Sequence, residues 1–257
     1  MTISMPNDWT PSTYGREWFG DYDRISSAPK KDTDLAVAAL TRLARGRPVL
    51  ELAAGTGRIA VPLARNGLAV TATDISPEML SVLASHDPEH RVVSRVEDMT
   101  SEGTPEFGLV ALLLNSLFTA RTSEEQHAVF RAAASRLVAG GLFVTECFVL
   151  DLSQWEPVRS IESHGDESIV RFGSWDPDTQ LLSYEFHFTL GQEESVRYVQ
   201  IRYASPEQTD AMATRAGFAL VDRWGDWTGV PFKEGDPWAI SVFNKPLAHV
   251  PHKPVVS

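Results

Sequence analysis

The chain has 257 residues, 43% of them hydrophobic, enough to bury the core of one large α/β domain or of one domain carrying an insert. Its formal net charge is −11 and no Lys/Arg cluster stands out, which argues against nucleic acid as a partner and favours a small molecule. No run approaches 18 apolar residues, so no helical membrane span is expected. Residues 1–10 lack a signal-peptide pattern, and the single cysteine, Cys147, reads as a buried strand residue; a cytoplasmic setting is expected.

Residues 1–20 are polar and aromatic, and Leu35, Leu40 and Leu43 then mark a helix. Strands are predicted at 48–53, 69–74, 91–96, 107–114 and 142–150. Helices fall between them at 58–66, closed by Gly67, and from Ser76-Pro77-Glu78 to about Ala84. Ser123 with Gln126 reads as a capping box for a helix that reaches Ala139 and stops at Gly140-Gly141. This alternation predicts a parallel sheet with helices on both faces, which binds ligands at the carboxyl ends of its strands. The rhythm changes after residue 150. Strand-like runs at 168–175, 181–190 and 195–203, joined by Asp176-Pro177-Asp178 and Gly191-Gln192, predict an antiparallel insert. A capped helix from Ser205 to Gly217 and strands at 218–223 and 238–243 complete the chain. The expected division is an N-terminal lid (1–46), a cofactor-binding core (47–150), an insert covering the substrate (151–204), the C-terminal part of the core (205–246) and a flexible tail (247–257).

The most informative segment is Glu51-Leu52-Ala53-Ala54-Gly55-Thr56-Gly57-Arg58-Ile59-Ala60, a strand running through a Gly-rich turn into a helix. Gly55 and Gly57 let the backbone approach a ligand, and with Ala60 they form G-x-G-x-x-A, which alone fits any nucleotide-type cofactor. Asp74 lies 19 residues after Gly55 at a strand end, where a carboxylate either accepts from a ribose diol or caps the next turn. Glu97-Asp98-Met99 ends the third strand, where an acid can accept from an adenine amino group or stand in solvent. A dinucleotide would set its pyrophosphate at the helix N-terminus. Glu51, just ahead of the glycines, opposes a diphosphate and suits a cation. S-adenosylmethionine has an α-ammonium, a sulfonium and no phosphate, so it is the cofactor expected, with no metal.

At these residues the chain resembles the class I S-adenosylmethionine-dependent methyltransferases. Glu51–Gly57 is similar to their glycine-loop motif, with Ala54 where Cys or Gly is common. Thr73–Leu80 is similar to the ribose motif, Val96–Met99 to the adenine-contacting segment, Leu137–Leu142 to the turn before the fifth strand (with Ala139 for the frequent Pro), and Tyr22-Asp23 to the N-terminal lid. The resemblance implies a seven-stranded, mostly parallel Rossmann-like sheet flanked by helices, its last strand antiparallel, with an antiparallel β insert after strand 5. It implies S-adenosyl-L-homocysteine as product. It also implies a cofactor site drawn from Tyr22, Glu51, Ala53, Gly55, Thr56, Gly57, Arg58, Asp74, Ile75, Met79, Glu97, Asp98, Met99 and Asn115, the last facing the transferring methyl group. Asn115-Ser116-Leu117-Phe118 departs from the Asn-Pro-Pro-Tyr of nucleic-acid and protein amide N-methyltransferases. The insert's layout resembles the group that includes amino-sugar and glycine N-methyltransferases.

Methyl transfer is an in-line displacement at an already reactive sulfonium, so the protein's task is mainly to align the acceptor, a contribution on the order of 7–11 kcal/mol. His187, between Phe186 and Phe188, is the candidate general base, against a plain strand histidine. The insert's rings are either core on one face or an aromatic cover. Trp18, Phe118, Trp175, Tyr184 and Tyr198 are the candidate substrate contacts. The expected activity is N- or O-methylation of a small molecule such as a secondary metabolite or amino sugar. The alternative is a descendant, for example a cyclase, that binds the cofactor without methylating. No nucleic-acid or membrane partner is expected, and a homodimer is left open.

Overall fold

The computed structural model describes residues 3–20, 22–25, 30–152, 156, 159–164 and 167–247; Trp155, counted among the insert's rings, and 248–257 of the tail lie outside the described residues. Its helices are α1 (Pro11–Trp18), α2 (Tyr22–Ile25), α3 (Lys30–Ala44), α4 (Ala60–Arg65), α5 (Pro77–His86), α6 (Ser123–Arg136) and α7 (Pro206–Arg215). Its strands are β1 (Val49–Leu52), β2 (Val70–Asp74), β3 (Val92–Val96), β4 (Phe107–Leu112), β5 (Leu137–Phe148), β6 (Arg159–His164), β7 (Glu167–Asp176), β8 (Leu181–Leu190), β9 (Glu193–Arg202), β10 (Ala219–Trp224) and β11 (Trp238–Asn244).

β1 and β4 are apolar almost throughout and buried at every position, as strands covered on both faces must be. They lie at the centre of a seven-stranded sheet of order β10-β11-β5-β4-β1-β2-β3. β1 to β5 run parallel, while β11 is antiparallel to both β5 and β10. This is the architecture the resemblance implies. Strand alternation splits the core in two. Val49, Leu109, Ala111, Val144 and Ile240 pack with residues of α3, α4 and α5 on one side. Leu50, Leu52, Val110, Leu112, Phe143 and Phe243 pack with α6 and α7 on the other. After β1 the chain moves to β2 on one side, and it later enters β4 on the other. The crevice at this reversal opens between the carboxyl ends of β1 and β4.

Two local expectations are corrected. The cap of α6 is Thr122, whose side chain accepts from Glu125 N–H in a reciprocal box, one residue earlier than the Ser123 pair. The helix then ends at Arg136, not Ala139. Leu137 is extended and pairs with Phe107, and the next aligned pair is Leu109 with Leu142. Gly140-Gly141 therefore sits in a bulge of β5. Gly140 has φ +73°, and a Cβ on Gly141 would lie 2.9 Å from Val138 O. The glycines bend a strand here and do not stop a helix.

The insert forms its own antiparallel sheet, β6-β7-β8-β9. It has four strands where three were expected. β6, Arg-Ser-Ile-Glu-Ser-His, carries one aliphatic residue and no alternation for a sequence reading to detect. The small sheet joins the second core through Leu182, Ile201 and Tyr203. Tyr203 stacks on Phe148 with centroids 6.0 Å apart, and its hydroxyl accepts from Leu150 N–H at 3.0 Å. Fully buried Phe118 sets its edge against both rings. Phe118→Ala would open a cavity at this joint and is expected to cost about 3–5 kcal/mol, read as a lower urea midpoint with little change in m-value.

Candidate active site

The turn after β1 is built from left-handed residues: Ala53 has φ 51°, Gly55 φ 56° and Gly57 φ 83°. Glycine is needed at Gly57 on steric grounds as well, because a Cβ there would lie 2.7 Å from Leu83 Cγ. Asp74 pins this turn from the end of β2. Its Oδ2 accepts from Gly55 N–H at 2.8 Å and its Oδ1 from Ser76 N–H at 2.9 Å. Burial pushes the Asp74 carboxyl up, and the amides of Ser76, Gly55 and Ile75 pull it back. A carboxylate offers about four lone-pair sites, so the turn-capping bonds leave capacity for a diol. On the far side of the turn, Thr56 Oγ1 donates to Asp23 Oδ1 at 2.6 Å, which fastens α2 over the loop. The Thr56 carbonyl lies 3.0 Å from His86 Nδ1.

Glu51 lies inside β1 and is 4% exposed. Its Oε2 has no hydrogen-bond partner, and burial pushes its carboxyl up to about 8, against the pull of Arg58. An ammonium would supply the missing donor. Arg58 donates to Thr33 Oγ1 at 3.0 Å and approaches Glu146 at 3.9 Å. Together Glu51 and Arg58 line one small compartment with Tyr22, Gly55, Thr56 and Leu114. An acid and a base side by side suit the ammonium and carboxylate of an amino-acid end.

A cleft of about 390 Å³ lies over the ends of β2 and β3 and brings together Ala53, Asp74, Ile75, Glu97, Asp98 and Met99. Glu97 is tied to Arg136, and Asp98 Oδ1 accepts from Thr100 N–H at 2.8 Å. Between cleft and compartment is a space lined by Tyr14, Gly15, Tyr22, Asp74, Met79 and Ser116, among others. The unpartnered Glu51, the glycine turn and the Asp74 carboxylate therefore fit S-adenosylmethionine chemically: a cation, a diol and an amino-bearing base would meet groups of matching character. Among the described residues no cluster of His, Cys, Asp and Glu could hold a metal ion, and no helix is long and apolar enough to cross a membrane.

Beyond the donor side is a chamber of about 350 Å³ beneath the small sheet. Trp18, Tyr184 and Asn115 line it, with Tyr14, Tyr22, Phe186 and Arg171. Asn115 has φ 63°, and its Oδ1 accepts from Phe148 N–H at 2.6 Å, so part of its side chain holds the end of β5. Glu146 organises the same corner. Its Oε2 accepts from Leu114 N–H at 2.9 Å and its Oε1 from the Trp227 indole at 2.6 Å.

The other sequence candidates are elsewhere. Phe118 is sealed in the joint between the sheets, and Trp175 sets its edge against Tyr203 there, 6.5 Å between centroids. His187 pairs with Val170 and Val196 on the outer face of the small sheet. Its Nε2 lies 2.5 Å from Glu185 Oε1 and its ring meets Phe172. Tyr198 pairs with Glu185 on that same outer face. The period of two explains this: Tyr184, Phe186 and Phe188 turn inward, so the histidine between two phenylalanines turns out. The structure thus does not bring His187 to the chamber as a base. Cys147 is buried, and burial pushes its thiol well above the usual range. Sequence reasoning missed Tyr14, Gly15, Glu146 and Arg171. Tyr14 had a signal, a ring one helical turn before Trp18, on which it stacks at 5.4 Å.

The fold and site define a class. Residues 49–141 match the methyltransferase-domain family, and the architecture is that of the class I S-adenosylmethionine-dependent methyltransferases. The chain is similar to the solved methyltransferase CcbJ from Streptomyces caelestis, at 28% identity and a TM-score of 0.86 over 93% of this chain and 100% of that one. It is 34% identical over 142 residues to the cypemycin N-terminal methyltransferase of a Streptomyces species, a match that spans 53% of this chain and 57% of the relative. It shares its fold with an S-adenosylmethionine-bound amino pentose methyltransferase from Micromonospora echinaspora, at 17% identity and a TM-score of 0.65 over 95% and 99% of the two chains.

Asp74→Ala is expected to weaken S-adenosylhomocysteine binding at least tenfold in calorimetry, since charge-assisted bonds contribute roughly 1.5–3 kcal/mol each. Glu51 gives a pH test. Its folded value of about 8 lies above the ordinary 4.5, so the native protein holds a proton that the unfolded chain has lost. Stability should fall as pH rises from about 4.5 through about 8 and then level off. Glu51→Gln should remove that slope in denaturant titrations across the range.

Proposed function

We propose that the chain transfers a methyl group from S-adenosylmethionine to a nitrogen or oxygen atom of a small molecule held beneath the four-stranded sheet. One observation carries this reading: the donor side and the chamber share walls. Tyr22 and Leu114 line both the amino-end compartment and the chamber, and Ala53, Asp74 and Ile75 line both the adenine-side cleft and the space next to it. The arrangement can set a donor and an acceptor against each other with little water between them.

S-adenosylmethionine supplies a methyl group already activated on a sulfonium. The residues of the chain bind and orient. Glu51 would take the ammonium, Arg58 the carboxylate, Asp74 the ribose diol and Asp98 the adenine amino group. Tyr14 and Tyr22 line both the donor space and the chamber. Burial raises both phenols, so at neutral pH they keep their protons and act as hydrogen-bond donors and walls, not as bases. Among the described residues no histidine lines the chamber. The rate enhancement then rests on alignment and exclusion of water, with an amine acceptor arriving uncharged. The name of one relative, an N-terminal methyltransferase, favours nitrogen.

The test is incubation with methyl-labelled S-adenosylmethionine and a panel of small primary and secondary amines, amino sugars included. Label on an acceptor and release of S-adenosylhomocysteine are expected, and Tyr22→Ala should lower kcat more than it weakens donor binding. A wild-type protein that binds neither S-adenosylmethionine nor S-adenosylhomocysteine in calorimetry would overturn the proposal. A protein that binds the donor and consumes an acceptor without releasing S-adenosylhomocysteine would point to the non-methylating alternative.

A further inference from the structure

We infer that the acceptor carries a carboxylate and that Arg171 is the residue that recognises it. The inference rests on reading the chamber as the acceptor site, and it adds the substrate's chemical class. Arg171 projects from β7 on the inward face, paired with Ser160 on one side and Phe186 on the other, and it lines the chamber. Arg171 is half-buried, its guanidinium carbon lies 5.8 Å from the Tyr184 ring centroid, and its Nε is fully buried without a hydrogen-bond partner. The acid lining the same chamber is Glu162, which is exposed; among the described residues the two form no ion pair.

A second donor is in the same condition. Trp18 also lines the chamber, and its buried Nε1–H has no acceptor. Two buried N–H groups around one space, both without acceptors, call for a ligand that brings oxygens. A buried donor left unmatched is unfavourable, and folded proteins leave few of them. Between candidate oxygen ligands, the guanidinium decides. Nε and one Nη form a planar fork that matches the two oxygens of a carboxylate, whereas a neutral amide presents a single acceptor. The neighbouring walls, Ile169, Tyr184, Phe186 and Val199, are apolar or aromatic and strengthen a charge-assisted pair.

The placement also orients the acceptor. Arg171 belongs to the small sheet, while Tyr22, Leu114 and Asn115 belong to the lid helix and the end of β4, on the donor side. A molecule with its carboxylate on Arg171 would turn its remaining polar atom toward the donor. The class is therefore a small amino or hydroxy acid, with an aromatic or branched body to fill the ring-lined volume.

The test uses the full chain saturated with S-adenosylhomocysteine and two probes of one shape, phenylacetate and phenylacetamide, with binding followed by ligand-observed NMR. The carboxylate is expected to bind at least tenfold more tightly than the amide. Arg171→Met should abolish that preference while leaving S-adenosylhomocysteine affinity within about twofold, and Arg171→Lys should keep part of it. Equal binding of the two probes to the wild type overturns the inference, as does an unchanged preference in Arg171→Met. If Arg171→Met does not fold, the wild-type comparison and Arg171→Lys decide between the same outcomes. Failure of the wild type to bind S-adenosylhomocysteine would count against the methyltransferase reading instead, and the two probes on the protein alone would still report on Arg171.

Discussion

The carboxylate of Asp74 is the constraint on which the donor side depends. One oxygen holds the Gly55 amide and the other the Ser76 amide, so a single side chain joins the turn after β1 to the start of α5. The effect reaches further through Ser76. Its hydroxyl accepts from Met79 N–H and caps α5, and the backbone of α1 comes so close that a Cβ on Gly15 would lie 2.4 Å from Ser76 Cβ. Gly15 adjoins Tyr14, which lines both the donor space and the chamber. A change in the rotamer of Asp74 would therefore displace the turn, the helix start and the aromatic roof together. Amide bonds from three residues offset the cost of burying that acid.

Glu51 shows how far charge counting carries. Its position ahead of the glycines argues for a cationic ligand from type and placement alone. Its environment adds something the sequence does not contain: buried and with one oxygen unpartnered, its carboxyl holds a proton up to about pH 8. An ammonium bound there would favour the charged form, so under the proposed function binding at this acid would be coupled to a proton, whereas Asp74, held by amides, has its donors already in place.

The parts of the fold legible in the sequence are those set by local chemistry. The glycine turn, the acid that ends β2 and the Ser76 and Ser205 caps each depend on residues within one turn or one strand end, and all formed where their residues indicated. What failed to read depends on partners distant in sequence. Gly140-Gly141 has the pattern of a helix stop, but pairing with β4 begins at Leu137 and makes it a bulge. In the insert, alternation shows that His187 and Phe186 face opposite ways without showing which way is inward. That choice is made by the core beneath Leu182. For the same reason Trp175 and Phe118 could not be told from chamber rings, and Arg171, an ordinary strand arginine in sequence, had nothing to mark it.

The two sheets share no ladder. Among the described residues β6 to β9 pair as strands only with one another, and the rest of the core meets them through packed rings such as Tyr203 and Phe148 and through side-chain bonds such as that from Gln126 Nε2 to Arg202 O at 2.8 Å. Dispersion and apolar contact tolerate substitution far more readily than a hydrogen-bond register does. Mutations that reshape the roof of the chamber can accumulate without shifting a single strand pairing beneath the glycine turn. Under the proposed function such a scaffold would suit diversification: one half could keep its reagent's site unchanged while the other is reshaped for new acceptors.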